Sequence, residues 1–210
     1  MNEKKRLNII IYVLIIVLIV LVVFVVVNRQ SGLLTNKYVY TNPKGEDFTF
    51  TKTKLENITF HVLTAYVETN KGLNQYTIPF RNNPYDLEDI LIEVNIKNKI
   101  LNKKGIYITL NPNLRSEAVI AAIEISRVIG TNDYGIFKIP TQSATTIPTN
   151  TTFPVINCND ATQDTGVILL GIGNYTRVFS NKECVIVEGD SYENLIKAAD
   201  KLALHLLNVM

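Results

Sequence analysis

The chain has 210 residues, of which 47% are hydrophobic and 19% are charged, a composition that excludes a disordered chain and allows one or two small domains. Its formal net charge is +2. Four basic residues and one acidic residue lie within the first 29 positions, so 17 basic and 18 acidic side chains remain in the rest of the chain. This balance excludes the basic surface with which proteins usually bind nucleic acid.

The N-terminal region carries a long aliphatic run. From Ile9 to Val27 only Tyr12 is not purely apolar. As a helix this run would span roughly 28 Å, close to the ~30 Å hydrocarbon core of a bilayer. It is longer than the core of a cleaved signal peptide, and no small-x-small cleavage site follows it. We therefore expect an uncleaved transmembrane helix over residues 7–27, with the lipid bilayer as its partner.

The charges beside this run predict its orientation. Lys4, Lys5 and Arg6 precede it, whereas only Arg29 follows closely. Because basic residues stay on the cytoplasmic side, the N-terminus is predicted to be cytoplasmic. The expected protein is a single-pass signal anchor of the cell membrane. Its parts are a cytoplasmic tail at 1–6, the transmembrane helix at 7–27, a stalk at 28–36 and an extracytoplasmic α/β domain at 37–210.

The first part of the expected extracytoplasmic domain is rich in strands. Runs of β-branched and aromatic residues are separated by turn residues such as Asn42-Pro43-Lys44-Gly45. The predicted strands are Lys37 to Tyr40, Asp47 to Lys52, Ile58 to Thr69 and Gln75 to Phe80.

After Pro84 the pattern changes to alternating strands and helices. The predicted elements are the strands Leu91 to Ile96 and Gly105 to Leu110, the helix Leu114 to Ile129 and the strand Tyr134 to Ile139. A strand–helix–strand unit of this length is by default a right-handed parallel crossover. Residues 140–154 hold three prolines and no charged residue, which predicts a loop and a sub-boundary of the domain.

The C-terminal part predicts three further strands and a long helix. These are Val167 to Ile172, Thr176 to Phe179, Cys184 to Glu188 and the helix Tyr192 to Asn208. Glu193 follows Asp190 by three residues, as in a capping box at the start of that helix. The expected fold class is therefore α/β, a mixed sheet with two main packed helices, with a β-rich N-terminal part and a preceding transmembrane helix.

Cys158 and Cys184 are the two cysteines of the chain. Outside the cytoplasm such a pair tends to oxidise, so a disulfide is expected. The alternative is two buried free thiols. Their wide spacing, with no histidine near either, does not match a zinc site.

Two polar segments are candidates for ligand binding. Arg81 begins a polar stretch between two strands and could bind a carboxylated or sugar ligand. The alternative is that it pairs with Asp86, Glu88 or Asp89. The second segment holds Asn111, Asn113 and Arg115 where a helix follows a strand, the place where open α/β folds bind ligands. Capping of that helix by Asn113 or Ser116 explains the segment equally well.

Other motifs indicate structure rather than chemistry. Gly171-Ile172-Gly173 follows a predicted strand as in a dinucleotide-binding loop, but a strand comes next, so we interpret it as part of a hairpin turn. His61 and His205 are expected to be structural or surface residues. No recognisable catalytic motif is present, and we expect neither cofactor nor metal.

Three Asn-x-Ser/Thr sequons occur, about as many as this Asn-rich composition gives by chance. If the domain is exported, Asn57, Asn150 and Asn174 are candidate glycosylation sites.

Several stretches carry a resemblance to a known group of proteins. They are Tyr76 to Pro84, Ile106 to Asn113, Cys158 to Thr162, Cys184 to Gly189 and Ala198 to Leu207. In these stretches the chain resembles uncharacterised single-span membrane proteins of archaea with an exported α/β domain. Gly166 to Gly171, with the later Gly189-Asp190 and an Ala-rich helix, is similar to small α/β units of surface-layer and cell-wall-binding proteins. The resemblance implies no activity.

The sequence thus predicts a membrane-anchored extracytoplasmic envelope protein that acts by binding or assembly, without catalysis. Its expected partners are other envelope or membrane proteins. One alternative is an exported small-ligand-binding or hydrolytic domain. Another is an accessory subunit of a membrane translocation or pilus complex.

Overall fold

A computed structural model describes residues 15–22, 36–69, 72–131 and 135–210 of the chain. The chain divides into two compact units, Met1–Asn36 and Lys37–Met210. In the first unit, residues 15–22 are helical and their side chains are exposed.

The expected transmembrane helix is not found. Among the described residues, no helix is long and apolar enough to cross a membrane. The tail and the other positions of the expected span lie outside the described residues, as does the stalk up to residue 35. The fold is therefore corrected to an α/β structure with mixed sheets and four helices in the described ranges.

A four-stranded sheet forms the first part of the second unit. Its strands are β1 (Asn36–Thr41), β2 (Asp47–Leu55), β3 (Ile58–Thr69) and β4 (Gly72–Phe80), in that spatial order. β3 pairs antiparallel with both β2 and β4. Side chains alternate between the two faces, and the inner face buries five large residues: Tyr40, Phe50, Leu63, Ile78 and Phe80.

A six-stranded mixed sheet forms the rest. Its strands are β5 (Leu91–Ile92), β6 (Gly105–Leu110), β7 (Thr141–Thr145), β8 (Thr165–Ile172), β9 (Arg177–Asn181) and β10 (Cys184–Gly189). Their spatial order is β5-β9-β10-β8-β6-β7. β10, β8, β6 and β7 run parallel to one another, whereas β9 and β5 run in the opposite direction.

Three helices accompany this sheet: α1 (Ile96–Leu101), α2 (Ser116–Ile129) and α3 (Tyr192–Leu206). Short 3₁₀ turns occur at Pro84–Leu87 and Cys158–Asp160. α3 is capped by Ser191, whose side chain accepts from the Asn194 backbone N–H at 3.2 Å. The expected Asp190–Glu193 capping box does not form, because Asp190 accepts from the Asn194 side chain instead.

The strand expected at 134–139 is wrong in position. Residues 135–139 form no strand, because their backbone closes the C-terminal end of α2: Ile136 donates to Val128 and Ile139 donates to Ile129. The strand that follows α2 and pairs parallel with β6 is β7, which lies inside the expected loop 140–154. Its sequence, Thr-Gln-Ser-Ala-Thr, lacks the apolar alternation that marks a strand. The strand expected over Leu91 to Ile96 ends at Ile92, since Ile96 begins α1.

α2 and α3 lie between the two sheets and bury side chains on both sides. α3 contributes Leu195, Ala199 and Leu202 to the core with the six-stranded sheet. Its Ala203 and Leu204 join the core of the four-stranded sheet, together with Val128 of α2. A helix that is apolar over most of its circumference is stable only when it is covered on both sides. The middle layer of the domain, formed by α2 and α3 between the two sheets, is covered in this way.

Candidate functional site

The face of the six-stranded sheet opposite the helices is partly covered by a covalently fastened segment. The predicted disulfide between Cys158 and Cys184 is confirmed, with a Cα–Cα distance of 5.1 Å. Nearby, the Thr109 hydroxyl donates to the Ile156 carbonyl at 2.8 Å. These links hold residues 156–158 against the middle of the sheet.

We expect the double variant Cys158→Ala/Cys184→Ala to lose about 3 kcal/mol of unfolding free energy, because closing a loop of this length restricts the unfolded chain. Urea unfolding of the oxidised protein and the variant measures the loss. Wild-type protein pretreated with reductant should match the variant. A variant as stable as the oxidised protein would contradict the expectation.

Beyond the covered part, the same face forms a cleft at the carboxyl ends of the parallel strands. The cleft has a volume of about 370 Å³. Its floor is a row of half-buried apolar neighbours, since Ile186 of β10 is in register with Leu169 of β8 and Phe179 of β9. Two residues further toward the carboxyl end of β10, Glu188 is in register with Gly171 of β8 and with Arg177 of β9.

Arg177 is the cationic group of this cleft. Its Nε donates to Glu188 Oε2 at 2.7 Å, and its guanidinium lies 4.2 Å from the ring centroid of Phe179 and 5.1 Å from that of Tyr175. Glu188 Oε1 accepts from the Asn174 backbone N–H at 3.1 Å. The ion pair is therefore fixed in orientation, a condition for recognising a ligand by geometry.

The four predicted ligand-binding residues do not form one site. Asn111 lines the cleft, but its side chain accepts from the Asn113 backbone N–H at 2.9 Å. Arg115 pairs with Glu117 at 2.6 Å and stacks over Tyr192 at 5.0 Å. The segment leads into α2 and has Asn111 at the edge of the cleft. The capping of this helix expected from Asn113 or Ser116 is wrong, because its N-cap residue is Arg115 and no side chain caps it.

Sequence reasoning missed Arg177 and Glu188. A signal was present, because the β9–β10 hairpin places the two residues directly opposite each other across its strands. The Gly171-Ile172-Gly173 motif also pointed to this place, although it does not open a helix.

Arg81 lies between the four-stranded sheet and the helices α2 and α3, and not in the cleft. Its Nε donates to Glu124 Oε1 at 3.2 Å, while Arg127 donates to Glu124 Oε2 at 2.7 Å and to the Pro79 carbonyl at 2.7 Å. The predicted pairing of Arg81 with an acid of its own loop is wrong, because the partner comes from α2. The cluster links α2 to the end of β4.

Asp200 of α3 completes this buried cluster. Its Oδ2 accepts from the Arg81 and Asn82 backbone N–H groups at 3.1 and 2.9 Å and from the Asn82 side chain at 2.8 Å. No described residue hydrogen bonds to Oδ1. Full burial, reinforced by the charge of Glu124, raises the pKa of Asp200 to about 7.

A groove lies on the helix side of the sheet, between α2 and the edge strand β7. Its volume is about 350 Å³, and none of its lining side chains is charged. Val119, Ile123 and Phe153 line it and are about half exposed. An apolar surface next to an open sheet edge is suited to binding an extended polypeptide.

The histidines have structural contacts. His61 Nδ1 lies 2.8 Å from the Tyr38 hydroxyl, and His205 Nδ1 lies 3.1 Å from the Met210 carbonyl. Within the described ranges, no group of three or more His, Cys, Asp or Glu residues is placed to hold a metal ion.

The three sequon asparagines, Asn57, Asn150 and Asn174, are exposed. Their glycosylation remains a prediction, since exposure is only one of the conditions for it.

Comparison with family models, with curated proteins and with solved structures finds no match to this chain. The expected kinship with archaeal membrane proteins and surface-layer units therefore remains a prediction.

Proposed function

We propose that the protein works outside the cytoplasm as a binding protein and holds an extended, uncharged segment of another envelope protein along β7. The observation that carries this proposal is the open edge of β7 beside the uncharged groove. Its partner would add a strand to the six-stranded sheet and place apolar side chains in the groove.

The hydrogen bonds of β7 define which backbone groups are available. In a parallel ladder, alternate residues of a strand bond to the neighbouring strand. Ile106 donates to Pro140 and Thr146 donates to Leu110, so the even-numbered residues 140–146 face β6. Thr141, Ser143 and Thr145 consequently direct their N–H and C=O groups outward. The N–H of Thr145 donates to the Pro154 carbonyl, and its C=O accepts from the Ile156 N–H. No described residue bonds to the outward backbone groups of Thr141 and Ser143.

The side chains around this edge favour an uncharged partner. Exposed edge strands commonly contain a proline or a charged residue, often lysine, which prevents pairing with another strand. β7 contains neither. A charged side chain in the groove would lose water without gaining an ionic partner. An alternating apolar segment would instead cover the exposed parts of Val119, Ile123 and Phe153.

The disulfide supports a location outside the cytoplasm, since such bonds persist in oxidising compartments. A partner in the cell envelope follows from that location. Binding through a sheet edge would also suit a subunit of a larger envelope complex.

A photocrosslinking amino acid tests the proposal directly. It is placed at Ser143 in the groove, with Val94, which is 87% exposed and apolar, as the control position. In the native cells, crosslinks from Ser143 should map to one extended, uncharged segment of a second protein. Crosslinks to this chain itself, or crosslinks that are equal from both positions, would overturn the proposal.

Introducing a charge into the groove should weaken the complex. We expect Ile123→Lys to reduce the crosslinking yield from Ser143 at least tenfold, because the ammonium group would lie in an uncharged groove against the partner. Val94→Lys adds the same charge at an exposed apolar position elsewhere and should leave the yield within twofold. Equal yields from the two variants would contradict the proposal.

A further inference from the structure

The carboxyl-end cleft lies where consecutive strands of the chain join opposite sides of the sheet. From β6 the chain crosses to β7 on one side, and it then returns to β8 on the other side. The carboxyl ends of β6 and β8 are thus a topological switch point, the place where open α/β sheets bind ligands. Asn111 and Gly171, from the ends of these two strands, both line the cleft.

The guanidinium of Arg177 offers a defined donor pair in this cleft. Its Nε is engaged by Glu188, while no described residue accepts from its two Nη atoms. The rings of Phe179 and Tyr175 restrict its movement. The remaining Nη edge matches the two oxygens of a carboxylate.

The surroundings of Arg177 limit the charge and shape of a ligand. Glu188 lies beside the guanidinium and disfavours any anion that carries more than one charge. The floor row of Leu169, Ile186 and Phe179 is apolar and half-buried. A Cβ atom added at Gly171 would meet no heavy atom within 4 Å, so the space above this row is open.

We propose that this cleft binds a small monocarboxylate with an apolar body. The carboxylate lies on the Nη edge of Arg177, and the apolar body lies over the row formed by Leu169, Ile186 and Phe179. The volume of about 370 Å³ is within the usual range of small-molecule sites. This site is on the face of the sheet opposite the β7 groove, so it does not depend on the proposed polypeptide binding.

Titration of the full chain with phenylacetate, followed by NMR of the backbone amides, tests the site. Phenylethanol carries the body without the charge, and acetate carries the charge without the body. We expect saturable shifts of the Gly171, Arg177 and Phe179 amides with phenylacetate, and at least tenfold weaker binding of the other two compounds. No saturable shift at millimolar phenylacetate, or equal binding of all three compounds, would overturn the proposal.

Two substitutions in the cleft and one matched control locate the binding. Gly171→Val fills the open space and should abolish binding, and Arg177→Gln should weaken it at least tenfold. Arg115→Gln also removes an arginine that stacks on an aromatic ring and pairs with a glutamate, but outside the cleft. It should leave the affinity within twofold. Unfolding measured on each variant establishes that it is folded, and unchanged binding in folded Gly171→Val or Arg177→Gln would contradict the proposal.

Discussion

Asp200 is expected to lower the unfolding free energy of the protein by up to about 4 kcal/mol as the pH rises from about 4 to about 7. Burial raises the pKa of this carboxyl from 3.8 to about 7 in the folded protein. Folding therefore takes up a proton in this interval. The stabilisation is fully present below the unfolded pKa and is lost as the pH rises through the folded pKa.

The variant Asp200→Asn isolates this contribution. An amide oxygen can still accept the hydrogen bonds from Arg81 and Asn82, but the side chain no longer ionises. Above pH 7 the variant should be more stable than the wild type by up to about 4 kcal/mol, and its stability should change less between pH 4 and pH 7. Urea unfolding at several pH values measures both effects.

Asp164→Asn is the matched control, because Asp164 is an exposed aspartate paired with Lys104 at the surface. It should leave the pH dependence close to that of the wild type. If Asp200→Asn also leaves the pH dependence of the unfolding free energy unchanged, the expected contribution of the Asp200 carboxyl is contradicted.

Gly189→Ala is expected to cost about 3 kcal/mol or more of unfolding free energy. A Cβ atom at Gly189 would lie 2.3 Å from the backbone N of Leu195 and 2.5 Å from its Cα. The first turns of α3 would have to move, and this helix is packed between the two sheets. A side-chain rotation cannot relieve the clash, since the close atoms belong to the backbone.

Gly171→Ala provides the comparison within the same sheet, one register pair away. Its added Cβ atom meets nothing within 4 Å. Because glycine weakens a strand, this variant should be as stable as the wild type or more stable by about 0.5 kcal/mol. Equal urea midpoints for Gly189→Ala and Gly171→Ala would show that the approach of β10 to α3 is not tight.

Local sequence patterns predicted much of the fold. β3 and β6 have the predicted bounds, because each is a run of β-branched and aromatic residues that ends at turn residues. α2 and α3 were predicted within two residues at each end from their apolar periodicity and the residues that begin and end them. The disulfide was expected from the chemistry of an exported cysteine pair.

The sites could not be predicted in the same way, because they depend on residues that are distant in sequence. Arg81 meets Glu124 across 43 positions and Asp200 across 119. Polar side chains near Arg81 gave no sign that its partner would come from a helix. The β7 groove forms because α2 lies beside β7. The sequence of β7 has no apolar alternation, so no pattern in it predicted the strand or the groove.

The position of α3 in the middle layer has a consequence for the order of folding. This helix ends at residue 206 and contributes to both cores, so a nascent chain that stops before Tyr192 can complete neither of them. β5 likewise obtains its partner, β9, only about 85 residues later. The domain therefore remains incompletely folded until α3 has left the ribosome.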